Sequence, residues 1–537
     1  MMNFDAIHQP YQLSRYSVAA GNGMVCSSSA LASSAGLEML KKGGNAVDAA
    51  IAAAAVLCVA EPVSNGLGGD AFAIVWMKDQ MYGLNASGCS PEGISVEEVQ
   101  KRGYQKIPKR GWLPVTVPGQ PKAWAALSKR FGKLKLSEVL EPAITYARQG
   151  VPVSAAVAFL WDKYVKKDSQ EFGKDKPFDE WYRMFTKDGK PYEFGETVRF
   201  PALARSLRLI GETKGDAFYY GEIADKIDAQ SRRDGGFLRK SDLEKYEAEW
   251  VEPISVNYRG VDVWEIPPNG QGIVTLMALN ILKNFDIAAM KPEEISHLQF
   301  EAIKMAFADA LATVTDLADM RTDYHAYLSE AYGKKRFAEI GEKAGLPKTG
   351  KPPKSGTVYL CTADKEGNMV SYIQSNYMDF GSGIVIEDYG VSLQNRGYDF
   401  SLDPENINVL IPGKKCYHTI IPGFLTQNGR PIGPFGVMGG YMQPQGHLQV
   451  VMNLLDFHLN PQMCLDAPRW QWKEGLSFKV EPGFEPEWME SMSRRGHQIE
   501  VAENRFSFGR AEMIVRMENG IYVGATESRT DGCCAAY

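Results

Sequence analysis

A threonine at the head of a strand, directly behind a flexible glycine, has the chemistry of a self-cleaving nucleophile, and Gly356-Thr357 is such a pair. The residues leading to it, Gly345-Leu-Pro-Lys-Thr-Gly-Lys-Pro-Pro-Lys-Ser-Gly356, carry neither helical nor strand period and predict an exposed linker. The residues after it, Thr357-Val-Tyr-Leu-Cys-Thr-Ala-Asp364, are β-branched and aromatic and end in an Asp-Lys-Glu-Gly turn, which predicts a strand. Glycine adopts the strained backbone that lets a hydroxyl attack its own preceding carbonyl. Cleavage would free an α-amine beside the hydroxyl, to serve as general base. Threonine also opens many strands that do no chemistry, so an ordinary strand-edge residue is the competing reading.

Composition narrows the classes. A chain of 537 residues can bury a large core and suggests two to four domain-sized units. Apolar content of 44% with 23% charged residues describes a folded soluble protein. A net charge of −6, with basic residues only in short runs such as Lys166-Lys167 and Lys414-Lys415, gives no case for nucleic acid or an anionic membrane. The longest apolar run, 49–60, is too short to span a bilayer. Residues 1–10 lack a basic segment followed by an apolar one, so no secretion signal is expected. The eight cysteines match no zinc or disulfide framework, which favours a reducing, cytoplasmic setting. Seven scattered histidines with no HxxxH or CxxC spacing give no expectation of a catalytic metal, and no cofactor is expected.

The elements that must position Thr357 follow from periodicity. Residues 28–60 predict two Ala-rich helices joined at Gly43-Gly44-Asn45. A glycine-rich loop, 61–69, feeds a continuous apolar strand; its glycines fit no phosphate-binding pattern. Residues 114–148 predict a Pro-Gly turn and two amphipathic helices, 162–240 a charged, aromatic, helical stretch, and 251–266 strands. A long helix is expected from 292 to about 315. Beyond Thr357 strands are expected at 369–377, 383–393, 419–425 and 434–437, with helices at 445–459 and 486–495 and a final hairpin through Glu518-Asn519-Gly520. Helices and strands on both sides of the linker point to one α+β body of two helix-covered sheets.

The sequence around Thr357 does not stand alone. Thr357 to Val370, Asp379-Phe-Gly-Ser-Gly-Ile-Val385 and Gly390-Val-Ser-Leu-Gln-Asn-Arg396 resemble the small-subunit start of the γ-glutamyltransferases. The likeness extends to Lys41-Lys-Gly-Gly-Asn-Ala-Val-Asp-Ala-Ala50, Gly66-Leu-Gly-Gly-Asp-Ala-Phe72, Val117-Pro-Gly119, Ile266-Pro-Pro-Asn-Gly270, Asp466-Ala-Pro-Arg469 and Arg529-Thr-Asp-Gly532. The resemblance implies an N-terminal-nucleophile hydrolase with a four-layer αββα sandwich built from both halves of the chain. It implies a proenzyme cut between Gly356 and Thr357 into a large subunit, 1–356, and a small one, 357–537, that stay associated. Thr357 would attack an amide carbonyl, Gly439 and Gly440 would form the oxyanion hole, and Ser375 would hydrogen-bond the nucleophile. A Gly-Gly turn after a strand fits the same letters. Asp399 falls on the acidic residue that holds a substrate α-ammonium.

Departures from the family pattern bear on substrate. Where a large-subunit Arg clamps the γ-glutamyl α-carboxylate, this chain has Asn85-Ala-Ser-Gly-Cys89, and a bidentate guanidinium is hard to replace. His418-Thr419 stands for a Ser-Ser pair on the same carboxylate, Tyr377 for an Asn and Arg396 for a Gln. The loop from 399 to 418 is too short for the lid of many relatives. Arg396 either restores the missing charge or pairs Asp399 or Asp403; His418 either binds substrate or bridges strands. The leading expectation is hydrolysis or transfer on γ-glutamyl compounds such as glutathione. The alternative is an amidohydrolase or acylase on non-glutamyl amides, as in the branch of cephalosporin-acylase-like and oxamate amidohydrolase proteins. An unprocessed binding scaffold is a third reading, disfavoured because Gly356, Thr357 and the glycine pair are all present.

Overall fold

Two seven-stranded sheets carry the molecule, and the inner strands 23–27, 70–77, 358–364 and 369–375 are buried on both faces, which is why they carry apolar residues on both rather than alternating. The computed structural model describes residues 15–172, 176–346 and 356–537, so most of the expected linker (347–355) and the stretch 1–10 lie outside the described residues. In chain order the strands are β1 (Val18–Ala20), β2 (Gly23–Ser27), β3 (Asp70–Met77), β4 (Gln80–Ala86), β5 (Glu249–Val251), β6 (Ile254–Tyr258) and β7 (Val261–Glu265). Past the Gly356-Thr357 junction come β8 (Val358–Asp364), β9 (Met369–Ser375), β10 (Gly423–Gln427), β11 (Arg430–Met438), β12 (Arg510–Arg516), β13 (Tyr522–Thr526) and β14 (Cys533–Ala536). One sheet runs β1-β13-β12-β11-β10-β7-β6, the other β14-β2-β8-β9-β3-β4-β5. Each mixes strands from before and after the junction.

The layers follow from side-chain alternation. On β8, Val358 and Leu360 face a helix-covered core, whereas Tyr359, Cys361 and Ala363 face the other sheet. The inter-sheet core also takes Phe72, Ile74, Ile373, Phe424 and Ile514. Helices α1 (Ala30–Lys41), α2 (Ala46–Ala60) and α3 (Leu136–Gln149) cover the β8 sheet. Helices α4 (Gly272–Leu282), α5 (Pro292–Thr313) and α6 (Gln443–Leu455) cover the β11 sheet. The result is helix, sheet, sheet, helix. Helix α2 starts on a capping box in which the Asn45 side chain accepts from the Asp48 N–H and the Asp48 carboxylate accepts from the Asn45 N–H at 2.9 Å. Alanine lets it lie close against β8 and β9.

Most predicted elements are present, with three differences. Residues 383–393 hold only two-residue strands, Val385–Ile386 and Val391–Ser392, because Gly383 and Gly390 break the run at positive φ. The strand expected at 419–425 starts at Gly423, since 418–421 make side-chain and loop bonds instead. The C-terminal strand Cys533–Ala536, paired with β2, was not among the expected elements. Among the described residues no helix is long and apolar enough to cross a membrane.

Candidate active site

Thr357 is fully buried at the head of β8, beside the end of β9, where the register places Val358 opposite Gln374. Its hydroxyl donates to Ser375 Oγ at 3.3 Å. Ser375 Oγ donates in turn to the Gly356 carbonyl at 2.7 Å, the carbonyl preceding Thr357, and accepts the Tyr377 N–H at 2.7 Å. The Gly356 N–H donates to the Tyr377 carbonyl at 2.6 Å. One backbone bond and the Ser375 hydroxyl therefore hold Gly356 on the N-terminal side of the Gly356-Thr357 peptide. Tyr377 reaches this arrangement with φ of 74°, a left-handed conformation costly for an aromatic residue and concentrated at functional sites.

From the opposite sheet, β11 runs into Gly439 and Gly440 and then into α6. Gly439 sits at φ 130° and Gly440 at φ 60°, so the turn needs residues without Cβ. Three residues later, Gln443 Nε2 donates to Thr357 Oγ1 at 3.4 Å, which brings the glycine turn to the nucleophile. Gln271 Nε2 ties the same turn to its neighbour, donating to the Gly440 carbonyl at 2.9 Å and the Thr419 carbonyl at 2.6 Å. Beneath the turn, the Val437 N–H donates to His447 Nε2 at 3.0 Å, and His447 Nδ1 donates to Glu265 Oε1 at 2.6 Å. Burial pushes His447 down to about 3, so the ring stays neutral and keeps that tautomer.

The remaining expected residues form one buried polar group. Arg396 Nη1 donates to Thr419 Oγ1 at 2.7 Å, its guanidinium lies 4.0 Å over the Tyr377 ring, and its Nε lies 3.3 Å from Asp70 Oδ2. Its partner is thus Asp70, with no bond to Asp399 or Asp403 among the described residues, and its Nη2 has no partner there. The Tyr377 hydroxyl donates to Asp399 Oδ1 at 2.5 Å, while Asp399 Oδ2 is buried with no partner among the described residues. Burial pushes the Asp399 carboxyl up to about 7, against the pull of the Arg396 charge and the Tyr377 bond. His418 Nε2 donates to Asp70 Oδ2 at 2.9 Å, and its Nδ1 accepts from the Ile420 N–H at 3.4 Å. Burial and the Arg396 charge lower His418 to about 4, so it too is neutral. It packs on Phe72 at 4.7 Å and bridges to Gly270, a position between strand ends.

Sequence reasoning missed Asp70, Gln271 and Gln443. Asp70 lies within Gly66-Leu-Gly-Gly-Asp-Ala-Phe72, and its signal is a carboxylate directly after two close-packed glycines: a Cβ on Gly69 would stand 2.5 Å from the Ser375 carbonyl. The stretch in the place of the family's arginine is internally bonded: Asn85 Nδ2 donates to Asn269 Oδ1 at 2.9 Å and Ser87 Oγ to Asn85 Oδ1 at 2.7 Å. Residues 400–416 pack Phe400, Leu402, Leu410 and Cys416 onto Ile94, Val99, Ile107 and Leu113. Away from the site, His297, Glu301 and His497 lie close enough to share a metal, but Lys304 Nζ already stands 2.7 Å from Glu301. All eight cysteines are free thiols.

The γ-glutamyltranspeptidase family model matches residues 32–537, nearly the whole chain. The chain belongs to the γ-glutamyltranspeptidase family. It is 36% identical to the glutathione hydrolase-like YwrD proenzyme of Bacillus subtilis, covering 96% of this chain and 98% of that protein. It is 32% identical to the oxamate amidohydrolase proenzyme of Klebsiella pneumoniae, again over 96% and 98%. Among solved structures it matches a cephalosporin acylase from Bacillus halodurans at 50% identity and a TM-score of 0.97, covering 100% of this chain and 99% of that one. The αββα layers are therefore those of the family's N-terminal-nucleophile hydrolase fold, and the relatives make this chain an enzyme of that kind. Their proenzyme names imply processing into subunits of one precursor.

Proposed function

We propose that this family member is a self-processing N-terminal-threonine amidase, acting by hydrolysis or transfer on γ-glutamyl compounds such as glutathione. The observation that carries the reading is the Ser375 hydroxyl, which contacts the Thr357 hydroxyl at 3.3 Å and the Gly356 carbonyl at 2.7 Å. In maturation, Thr357 Oγ1 attacks the Gly356 carbonyl carbon while Ser375 donates to the carbonyl oxygen. The C–N bond breaks, the nitrogen takes the hydroxyl proton, and water hydrolyses the resulting ester to leave 1–356 and 357–537. The new α-amine then acts as base for Thr357 on a substrate amide, and Gly439 and Gly440 receive the oxyanion. Arg396 Nη2 and Asp399 Oδ2, both buried and without partners among the described residues, match the carboxylate and ammonium of a γ-glutamyl head, with Thr419 and Tyr377 orienting them. Free thiols throughout support a cytoplasmic setting.

A second reading keeps the chemistry and drops the ammonium: a glutaryl-type or oxamate-type amide. It is favoured by the Asp399 carboxyl at about 7, which can be held neutral beside an acyl group without an amine. It also fits the names of the oxamate amidohydrolase and cephalosporin acylase relatives. The test is a denaturing gel with N-terminal sequencing of the smaller fragment, for wild type and Thr357→Ala. Wild type should give a fragment beginning Thr-Val-Tyr-Leu, and Thr357→Ala a single full-length, inactive chain. Maturation and turnover in Thr357→Ala would overturn the proposal. Turnover of γ-glutamyl-, glutaryl- and oxamic amides by the mature enzyme then separates the two substrate readings.

A further inference from the structure

We propose that Asp70 is a positioning residue: it holds Arg396 by Nε so that the free Nη2 is aimed at the carboxylate of the acyl donor. This rests on the reading above that Arg396 meets that carboxylate. Asp70 is the first residue of β3 and pairs in register with Ser375, so the strand that presents the hydroxyl at Thr357 also fixes the place of this carboxylate. Its two oxygens have separate tasks. Oδ2 takes Arg396 Nε at 3.3 Å and His418 Nε2 at 2.9 Å; Oδ1 takes the Gly88 N–H at 3.4 Å. Gly88 belongs to the 85–89 stretch that stands where the family carries its arginine, so that stretch contributes through Asp70 rather than through a cation of its own.

The surroundings leave Arg396 little freedom. Thr419 takes Nη1, Tyr377 covers one face of the guanidinium, and Asp70 takes Nε, all at sites with no solvent exposure. A buried guanidinium nitrogen without an acceptor is unfavourable, and a planar fork held at its other nitrogens suits a carboxylate approaching from the remaining side. His418 braces Asp70 from the other direction: with Nδ1 accepting from Ile420, Nε2 must carry the proton that Asp70 receives. Asp70 also supplies the counter-charge without which a lone buried guanidinium would be unstable.

The test compares two donors that differ only in the acyl carboxylate, γ-glutamyl- against γ-aminobutyryl-p-nitroanilide, and likewise glutaryl- against butyryl-p-nitroanilide. Asp70→Asn should raise KM about tenfold or more for the carboxylate-bearing donor. It should leave kcat and the KM of the carboxylate-free donor nearly unchanged, and Asp70→Glu should restore part of the loss. Arg396→Ala should abolish the preference, and adding Asp70→Asn to it should change nothing further. Equal losses on both donors, no loss, or additive effects in the double variant would overturn the role of Asp70. A preference that survives Arg396→Ala would instead remove the reading on which it rests. Should Asp70→Asn fail to mature, Asp70→Asn with Arg396→Gln removes both charges together and should restore maturation; continued failure would also overturn the proposal.

Discussion

The ionisation of Asp399 offers a direct reading of what the pocket is built to hold. Its carboxyl is pushed up to about 7 by burial, and its Oδ2 has no partner among the described residues. A donor with an α-ammonium needs the ionised carboxylate; one with the same skeleton and no amine is better received by the neutral acid. γ-Glutamyl- and glutaryl-p-nitroanilide form such a pair. Each pH unit below the pKa removes a factor of about ten in ionised Asp399, equivalent to about 1.4 kcal/mol. The ratio of kcat/KM for the γ-glutamyl over the glutaryl donor should therefore rise with pH by up to about tenfold per unit, approaching about 100-fold between pH 5.5 and 7.5. Ionisation of the Thr357 α-amine affects both donors alike and cancels in the ratio. The assay is release of p-nitroaniline across that range, repeated with Asp399→Asn, which should flatten the ratio and favour the glutaryl donor. A ratio that stays within twofold in wild type, or keeps its slope in Asp399→Asn, refutes the assignment of Asp399 as the group facing the ammonium.

Ser375→Ala removes the donor to the Gly356 carbonyl, so maturation should slow by about 10²-fold, followed as the disappearance of the full-length band after synthesis. Gly439→Ala places a Cβ at φ 130°, where it stands 3.2 Å from Gly509 Cα, and should lower kcat by about 10²-fold or more in the matured enzyme while KM changes little. His418 and His447 are buried with pKa values of about 4 and about 3, below the ordinary 6.5 of the unfolded chain. The unfolded state thus binds protons that the folded state refuses, and the contribution of these two histidines to stability should fall as pH drops below about 6.5, while Asp399, raised to about 7, works in the opposite direction. By pH 5 that contribution is lower by about 2 kcal/mol per histidine, and the share of His447 is read as the difference between wild type and His447→Gln in urea unfolding at pH 7 and pH 5.

How much of this could be read from the letters depends on the range of the interaction. That Thr357, Ser375 and the glycine turn lie together was legible because local pattern and family position coincide: a breaker-rich approach, a β-branched run, a Gly-Gly turn. The helices at 30–60 and 292–313 were legible for the same reason, with apolar period and caps in one window. Arg396 and His418 were named, yet their partner was not, since Asp70 is 326 and 348 residues away and only the pairing of β3 with β9 brings it there. Gln271 and Gln443 act through side-chain bonds to backbone carbonyls and a hydroxyl, which leave no spacing signature. The cluster of His297, Glu301 and His497 is likewise invisible to motif spacing, because it joins residues 200 positions apart. The strand expected over 383–393 failed for a local reason: two positive-φ glycines outweighed β propensity.

The way the strands are shared between the two sheets reaches beyond architecture. In the sheet that bears the nucleophile, β2 lies between β14 and β8, so a strand from ahead of the cut is gripped on both flanks by strands from behind it. Once the peptide is severed, the pieces are laced together like fingers of clasped hands, and parting them would expose the unsatisfied edges of both sheets at once. Neither piece would inherit a whole core, so the proposed scission would follow folding, and separately made halves should fail to reunite into a working molecule. Maturation as proposed would cut a shape already built, and pieces parted in denaturant should recover little activity on refolding.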